Sequence, residues 1–239
     1  RGLGDVYKRQ TNPDGSNATT ADVALTSGSA SDINNYTTQS ISFPAGSSAN
    51  QTVTITITDD SNYESDETMV FTLQNISGGN SATAGTPTNF NLTIENDDLP
   101  NAWINEIHYD NDGTDEKEGV EVVIENSGNY TLSDFKITLY NGNGGVSYGT
   151  HTLNTFEVGT TTNNFTFYYK MISGIQNGPD GIALSYKGSL ISGQFLSYDG
   201  SFAATDGDAN GVTSTNIGVS EGSSTASSQS LQLTGNGTK

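Results

Sequence analysis

The chain has 239 residues, carries a formal net charge of −19 and contains no cysteine, which excludes disulfides and thiol chemistry. A chain this acidic is repelled by phosphate backbones and by anionic lipid surfaces, so we expect no direct nucleic-acid partner. No run of about 18 apolar residues occurs, so we also expect no membrane span. The absence of cysteine, together with many Asn, Thr, Ser, Gly and Asp residues, favours an extracellular or surface-displayed bacterial protein.

Residues 1–10, RGLGDVYKRQ, differ from the rest in charge, because Arg1, Lys8 and Arg9 are three of the eight basic residues of the chain. The decapeptide resembles the translated sequencing adapter that is often found at the ends of metagenomic reading frames. We therefore treat it as a non-native segment and leave it out of the fold prediction, as one leaves out a tag. The alternative is a native basic N-terminal arm.

Residues 11–98 contain short alternating segments with turn signals between them, and no segment shows a 3.6-residue apolar period. The clearest strand is residues 51–58, QTVTITIT, where Val53, Ile55 and Ile57 point to one side and threonines to the other. Further strands are predicted at residues 21–26, 39–43, 68–73 and 89–94. Short strands at this spacing predict an antiparallel sandwich.

A linker is predicted at residues 99–101, because Pro100 has no N–H to donate to a strand ladder. A second set of strands follows over residues 102–239, beginning with the apolar segment around Trp103 and Ile104. Other strands are predicted near residues 119–124, 132–140, 164–169, 182–188, 193–202 and 230–235. The fold class is therefore all-β, with two antiparallel sandwiches in tandem.

Acidic residues cluster on both sides of this linker. Glu95, Asp97 and Asp98 precede it within four positions, and a second acidic loop begins at Asp110. Like charges this close repel one another, and a hard cation with oxygen ligands is the usual way to offset the repulsion. The pattern predicts a calcium-linked module.

Two stretches of the first half, ITDDSNYESDETMVFTLQN at residues 57–75 and GTPTNFNLTIENDD at residues 85–98, resemble the Calx-beta domain. The resemblance covers residues 11–98 and implies an immunoglobulin-like sandwich that in some members holds calcium at one end. It assigns six carboxylates of this chain to such a site: Asp32, Asp59, Asp60, Glu64, Asp97 and Asp98.

Two departures from the Calx-beta pattern weaken the expected site. The family's first strands, with a further acidic ligand, have no counterpart here, and the terminal acidic run is Glu-Asn-Asp-Asp, with Asn96 interrupting it. A site with fewer carboxylates binds calcium less tightly, so we expect a dissociation constant on the order of 10⁻⁴–10⁻³ M, as in extracellular modules.

The second half resembles a bacterial lamin-tail-like domain over residues 102–239. Five motifs in order carry the resemblance: INEIHYDNDGTD, ITLYNGNGG, GIQNGPDGIAL, QFLSYDGSFAATDG and SLQLTGNG. It implies a second immunoglobulin-like sandwich that serves as an accessory module without established catalytic residues. Residues 119–122, Gly-Val-Glu-Val, depart mildly from the family's Glu-Phe-Val-Glu.

The remaining acids of the second half admit two interpretations. Asp110, Asp112, Asp115 and Glu118 surround Gly113 in a pattern like the opening of a calcium loop, but the EF-hand spacing is not met. A hairpin turn with exposed acids is the preferred interpretation. The same holds for the acids of residues 205–211, TDGDANG, Asp206 and Asp208.

No enzyme is predicted. His108 and His151 are the only histidines, and neither lies near a nucleophile elbow or within an HExxH motif. The 11 tyrosines are expected to fill the core of a small sandwich, and the alternative is an exposed aromatic strip for a glycan or protein.

These observations predict a non-catalytic, calcium-linked binding, adhesion or spacer module of a larger secreted or surface bacterial protein. Its neighbours are further domains of a longer chain, and the sequence does not identify the protein or glycan that it binds. The alternative is an accessory region of an extracellular hydrolase of the nuclease or phosphodiesterase type, with its catalytic domain elsewhere. A third possibility is a structural spacer without a ligand.

Overall fold

The computed structural model describes residues 4–60 and 63–234 and divides the chain into two compact units between Asp98 and Leu99. It confirms the all-β class: the described residues form β-strands and four short 3-10 turns. All strand pairs are antiparallel except one. Within the described part, no helix is long and apolar enough to cross a bilayer.

The first unit is a sandwich of a four-stranded and a two-stranded sheet. The order of the larger sheet is β3-β2-β5-β6, and the smaller one pairs β1 with β4. The strands of this unit are β1 Gly4–Lys8, β2 Thr19–Ser27, β3 Gln39–Phe43, β4 Gln51–Ile55, β5 Glu67–Gly78 and β6 Asn89–Ile94.

Both sheets of this unit contribute to one core. Val53 and Ile55 of β4 are buried against Met69 and Phe71 of β5, as the alternation of the two segments predicts. The strand predicted at residues 51–58 ends at Ile55, because the chain beyond it bonds to a loop instead of to a strand. On β6 the inward-facing apolar side chains are only half-buried.

Five residues of the segment left out of the fold prediction belong to the smaller sheet. Gly4–Lys8 runs antiparallel to β4, from the pair Gly4 and Ile55 to the pair Lys8 and Gln51. Lys8 Nζ also donates to the carbonyl oxygen of Pro87, at 3.5 Å, just before β6. The backbone of β4 therefore gains a hydrogen-bonded neighbour on this edge, which limits the exposure of an open strand.

The second unit is a sandwich of two five-stranded sheets, β10-β9-β13-β14-β15 and β11-β12-β8-β7-β16. Among its described strand pairs, only β14 and β15 run parallel. The strands are β7 Ala102–His108, β8 Gly119–Glu125, β9 Phe135–Asn141, β10 Ser147–Thr152, β11 Glu157–Thr162, β12 Phe165–Met171, β13 Asp180–Tyr186, β14 Ser189–Tyr198, β15 Thr215–Asn216 and β16 Leu231–Gln232.

Tyrosines fill much of the core of the second unit. Tyr109, Tyr140 and Tyr198 are fully buried, which confirms the core-filling interpretation for these three, whereas Tyr169 is 39% exposed. The strand β13 is buried on both faces because residues 199–213 lie across the outer side of its sheet. Ala204 of this segment packs with Tyr140.

Candidate functional site

An open acidic cleft of about 750 Å³ lies at one end of the first unit. Four segments form it: the 3-10 turn Ser31–Ile33, the chain after β4, the chain before β5 and the end of β6. The six carboxylates predicted from the sequence all line the cleft: Asp32, Asp59, Asp60, Glu64, Asp97 and Asp98. Glu67 and Glu95 line it as well.

Thr58 holds one side of the cleft together. Its backbone N–H donates to the carbonyl oxygen of Asp32 at 2.8 Å. Its hydroxyl donates to the carbonyl oxygen of Ser31 at 3.0 Å and accepts from the backbone N–H of Asn34 at 2.9 Å. These bonds attach the turn that contains Asp32 to the segment that contains Asp59. They also explain why β4 stops early, since the backbone here bonds to the turn.

Asn96 holds the other side. Its side-chain oxygen accepts from the backbone N–H of Glu64 at 3.0 Å, and its backbone N–H donates to Asp66 Oδ1 at 3.0 Å. Its side-chain amide donates to the carbonyl oxygen of Asp98 at 2.9 Å. An aspartate could not donate that third bond. The asparagine that interrupts the acidic run is therefore a positioning residue, which the sequence prediction counted only as a missing carboxylate.

The carboxylates of the cleft repel one another. Burial, reinforced by the charges of Asp32, Asp60 and Asp98, raises the pKa of Glu64. Burial, together with the charges of Asp97, Asp60 and Asp59, raises the pKa of Asp98. Each shift shows that the ionised form is disfavoured where it stands, which is the electrostatic condition that a bound cation relieves.

Glu67 is a cleft residue that the sequence prediction missed. Burial and a hydrogen bond to Asp32 raise the pKa of Glu67. The pKa of Asp32 is lowered, since hydrogen bonds from Ser31, Glu67 and Ser29 outweigh the opposing effect of burial. The two shifts run in opposite directions, so Glu67 loses its proton at a higher pH than Asp32. The sequence signal for Glu67 was its place in the stretch at residues 57–75 that resembles the Calx-beta domain, at the start of β5, where Glu67 pairs with Ile94 at the end of β6.

The donor set fits calcium in its chemistry. The cleft offers carboxylate oxygens, the ligands that Ca²⁺ takes in sets of 6–8. In the described residues no group of three His, Cys, Asp or Glu side chains lies close enough to hold a metal ion as placed. Coordination therefore requires the acidic segments to draw together around the ion.

The acidic loop of the second unit is organised by an asparagine. The side-chain oxygen of Asn111 accepts from the backbone N–H of Glu116 at 2.8 Å, and its amide donates to the carbonyl oxygens of Asp112 and Thr114. The prediction of exposed acids is wrong for Glu118, which is buried and accepts from the backbone N–H of Gly174 at 2.6 Å.

Asp206 and Asp208 fasten the segment that covers β13. Asp208 Oδ2 lies 2.7 Å from Lys136 Nζ and 2.6 Å from the hydroxyl of Ser185. Asp206 accepts from the backbone N–H and the hydroxyl of Ser147. Their partners belong to the fold, so these two acids have a structural role.

The histidines do not form a catalytic pair. Both ring nitrogens of His108 are engaged, by Glu221 at 2.8 Å and by the carbonyl oxygen of Glu116 at 3.0 Å. His151 lies on β10, and burial followed by the charge of Lys170 lowers its pKa.

Comparison with known proteins gave limited similarity. No family model matches the chain, and no curated protein matches it. Among solved structures, the chain is similar to the crystal structure of the calcium binding domain CBD12 of CALX1.1, with 16% identity and a TM-score of 0.37, over 77% of this chain and 72% of that one. It is also similar to CBD12 from CALX1.2, with 15% identity and a TM-score of 0.36, over 77% and 73%. Similarity at this level does not identify a site residue.

Proposed function

We propose that the chain is a non-catalytic module in which calcium binds the acidic cleft of the first unit. The observation that carries the proposal is the convergence of six sequence-predicted carboxylates on one cleft, where burial and mutual repulsion raise the pKa of Glu64 and of Asp98. A divalent cation would neutralise this charge. The residues that would hold it are Asp32, Asp59, Asp60, Glu64, Asp97 and Asp98, with Glu67 added from the structure.

A proton on Glu67 would compete with the cation. A carboxyl group must lose its proton before it binds calcium, so calcium uptake would release a proton wherever Glu67 is still protonated. Because the pKa of Glu67 is raised, this competition would extend to a higher pH than for an ordinary glutamate. Calcium affinity would accordingly increase as the pH rises through this region.

The proposed setting is outside the cell. A site that lacks one or two of the carboxylates of the Calx-beta pattern would bind calcium at about 10⁻⁴–10⁻³ M, a range typical of extracellular modules. The acidic, cysteine-free composition supports a secreted or surface bacterial protein, in which this chain is a binding, adhesion or spacer segment next to other domains. The second unit would be a lamin-tail-like interaction module for a protein or glycan partner.

Calcium would also act on the linker. Asp97 and Asp98 lie directly before residues 99–101, so neutralising them would restrict the chain at that point. Small-angle scattering of the full chain with calcium and with chelator tests this part of the proposal. A scattering curve that does not change with calcium would contradict it.

Calcium titration by calorimetry, combined with thermal melts in calcium and in chelator, tests the site. We expect saturable heat and a raised melting temperature, with about 1.4 kcal/mol of stabilisation when free calcium is about ten times Kd. The double variant Asp97→Asn/Asp98→Asn should lose both effects. The control Asp112→Asn/Glu116→Gln removes the same charge from an exposed loop and should keep both. No heat in the unaltered chain would favour the ligand-free spacer.

The alternative proposal is that the chain is an accessory region of an extracellular hydrolase. It assumes the same calcium site and differs only in the domains that flank this chain. It places a nuclease or phosphodiesterase domain elsewhere in a longer reading frame. The sequence that flanks this chain in its genome distinguishes the two proposals.

A further inference from the structure

Glu221 makes a buried connection between distant parts of the second unit. It lies in the segment between β15 and β16 and is 7% exposed. Its Oε2 accepts from the backbone N–H groups of Tyr109, at 2.6 Å, and Asp110, at 3.1 Å. Its own backbone N–H donates to the hydroxyl of Tyr109 at 2.7 Å. Glu221 therefore binds the chain just beyond β7 through both its side chain and its backbone.

His108, the last residue of β7, completes this connection. Its Nδ1 lies 2.8 Å from Glu221 Oε1, and its Nε2 lies 3.0 Å from the carbonyl oxygen of Glu116. A carbonyl oxygen can only accept, so Nε2 must donate. A neutral imidazole has a single N–H. The contact with Glu221 therefore needs one more proton between Nδ1 and Oε1.

Without that proton, one of the two contacts fails whichever tautomer forms. If Nε2 keeps the hydrogen, the lone pair of Nδ1 faces a carboxylate oxygen at 2.8 Å. If Nδ1 keeps it, the lone pair of Nε2 faces the carbonyl oxygen of Glu116 at 3.0 Å. Two acceptors at hydrogen-bond distance repel each other, so the geometry requires the protonated pair.

The surrounding groups favour the proton. The titratable groups near the pair come from the chain after β7, the loop before β8 and the turn after β14: Tyr109, Asp110, Asp115, Glu118 and Asp199. All are acidic or phenolic. Burial of the imidazole opposes its charged form, but the hydrogen bond and charge of Glu221 outweigh this effect and raise the pKa of His108.

We propose that the His108–Glu221 pair is a proton-controlled latch, which fastens the segment around Glu221 and the loop of residues 109–118 to the end of β7 when protonated and releases them when the proton is lost. The latch joins residues that are 113 positions apart in the chain. It lies in the second unit and does not depend on calcium binding to the first. Release would loosen the loop of residues 109–118 and the segment around Glu221 together, since both are bound to the imidazole ring of His108.

The direction of the pH effect follows from the raised pKa of His108. Stabilisation from a group whose pKa is raised on folding is fully present below its unfolded value, about 6.5 for histidine, and is lost as the pH rises through the folded value. The latch is therefore closed below about pH 6.5 and opens as the pH rises through the raised pKa of His108.

Proton NMR of the full chain tests the latch. The chain has two histidines, and the pKa of His151 is lowered by burial, so it serves as an internal reference. We expect one ring signal to titrate above about 6.5 and the other below it. His151→Gln assigns the signals. If the signal of His108 titrates at or below about 6.5, the proposal is overturned.

Hydrogen exchange separates a latch from a static packing role. The amide hydrogens of Tyr109 and Asp110, both bound to Glu221, should lose protection as the pH passes the titration of His108, after correction for the intrinsic exchange rate. The amide of Ile182 in the middle of β13 should keep its protection, as a reference in the same unit. In Glu221→Gln the titration of His108 should move down. Protection of Tyr109 and Asp110 that does not change with pH in the unaltered chain would contradict the proposal.

Discussion

The backbone N–H of Thr58 lies 2.8 Å from the carbonyl oxygen of Asp32, so two segments that carry cleft carboxylates are bound to each other without the help of a metal. The Thr58 hydroxyl adds two more bonds to the same turn. Part of the entropy cost of assembling the acidic cleft is therefore met by the fold itself.

Replacing Thr58 tests this preorganisation. Thr58→Val keeps the size and the backbone bond but removes the hydroxyl, so we expect about 1 kcal/mol of destabilisation of the first unit and weaker calcium binding. Thr52→Val, on the solvent side of β4, is the control and should change neither. Chemical denaturation and calorimetric titration measure the two effects. Equal calcium affinity in both variants would show that the turn does not prepare the cleft.

The cleft carboxyls predict how the stability of the first unit depends on pH. The pKa values of Glu64, Glu67 and Asp98 are raised in the fold, so their contribution is fully present below their ordinary values and is lost as the pH rises through the raised ones. In chelator these three groups should lower the melting temperature of this unit as the pH rises from about 4 towards neutrality, against the opposite effect of Asp14, Asp22 and Asp32, whose pKa values are lowered. Calcium should reverse the fall.

The triple variant Glu64→Gln/Glu67→Gln/Asp98→Asn is the matched comparison for this dependence. It should melt at a temperature that varies less with pH and responds little to calcium. A wild-type melting temperature that rises over the same pH range in chelator would show that repulsion in the cleft is not the dominant effect.

A buried amide joins the two sheets of the second unit. Gln194 Oε1 on β14 accepts the backbone N–H of Ile104 on β7 at 2.8 Å, where the register of β7 against β8 shifts. Gln194→Leu leaves this N–H without a partner, which should cost about 1–3 kcal/mol of unfolding free energy. Gln39→Leu, exposed on β3 in the other unit, is the control. Urea denaturation measures both, and equal stabilities would contradict the assignment.

The ion pair of Lys136 and Asp208 predicts a stability change at low pH. The hydrogen bonds of Lys136 and Ser185 lower the pKa of Asp208 although burial opposes them, so its contribution is present above the ordinary pKa and is lost as the pH falls through the lowered one. A double-mutant cycle with Lys136→Met and Asp208→Asn should give a coupling of about 1 kcal/mol at neutral pH. The coupling should vanish in acid, and a coupling near zero at neutral pH would contradict it.

The strands of the first unit in which apolar and polar residues alternate strongly were predictable. The alternation around Val53 and Ile55 specified both the strand and its buried face, because a period of two leaves little choice of register. The six cleft carboxylates were predictable because their spacing resembles a known domain. The strand β11 was missed, since Glu157–Thr162 is exposed at every position and has no apolar alternation.

Other features depend on partners that are distant in the chain. The role of Glu221 arises only when a loop more than a hundred residues away is folded against it. Neither Glu221 nor its partner His108 therefore carries a local sequence signal. Glu118 was predicted as an exposed turn acid, but the backbone N–H of Gly174 permits its burial. The strand Gly4–Lys8 was excluded on composition, whereas its place in the sheet follows from the open edge of β4.

The pairing of β16 with β7 has a consequence for biosynthesis. Leu231 lies beside Ile107, so the strand that opens the second unit gets this neighbour only after more than a hundred further residues have been made. Until then, one edge of β7 stays available to strands of other molecules. Folding of this unit is therefore completed only once Leu231 and Gln232 have been made, and we expect nascent chains that lack these residues to be the species that aggregate and that chaperones must protect.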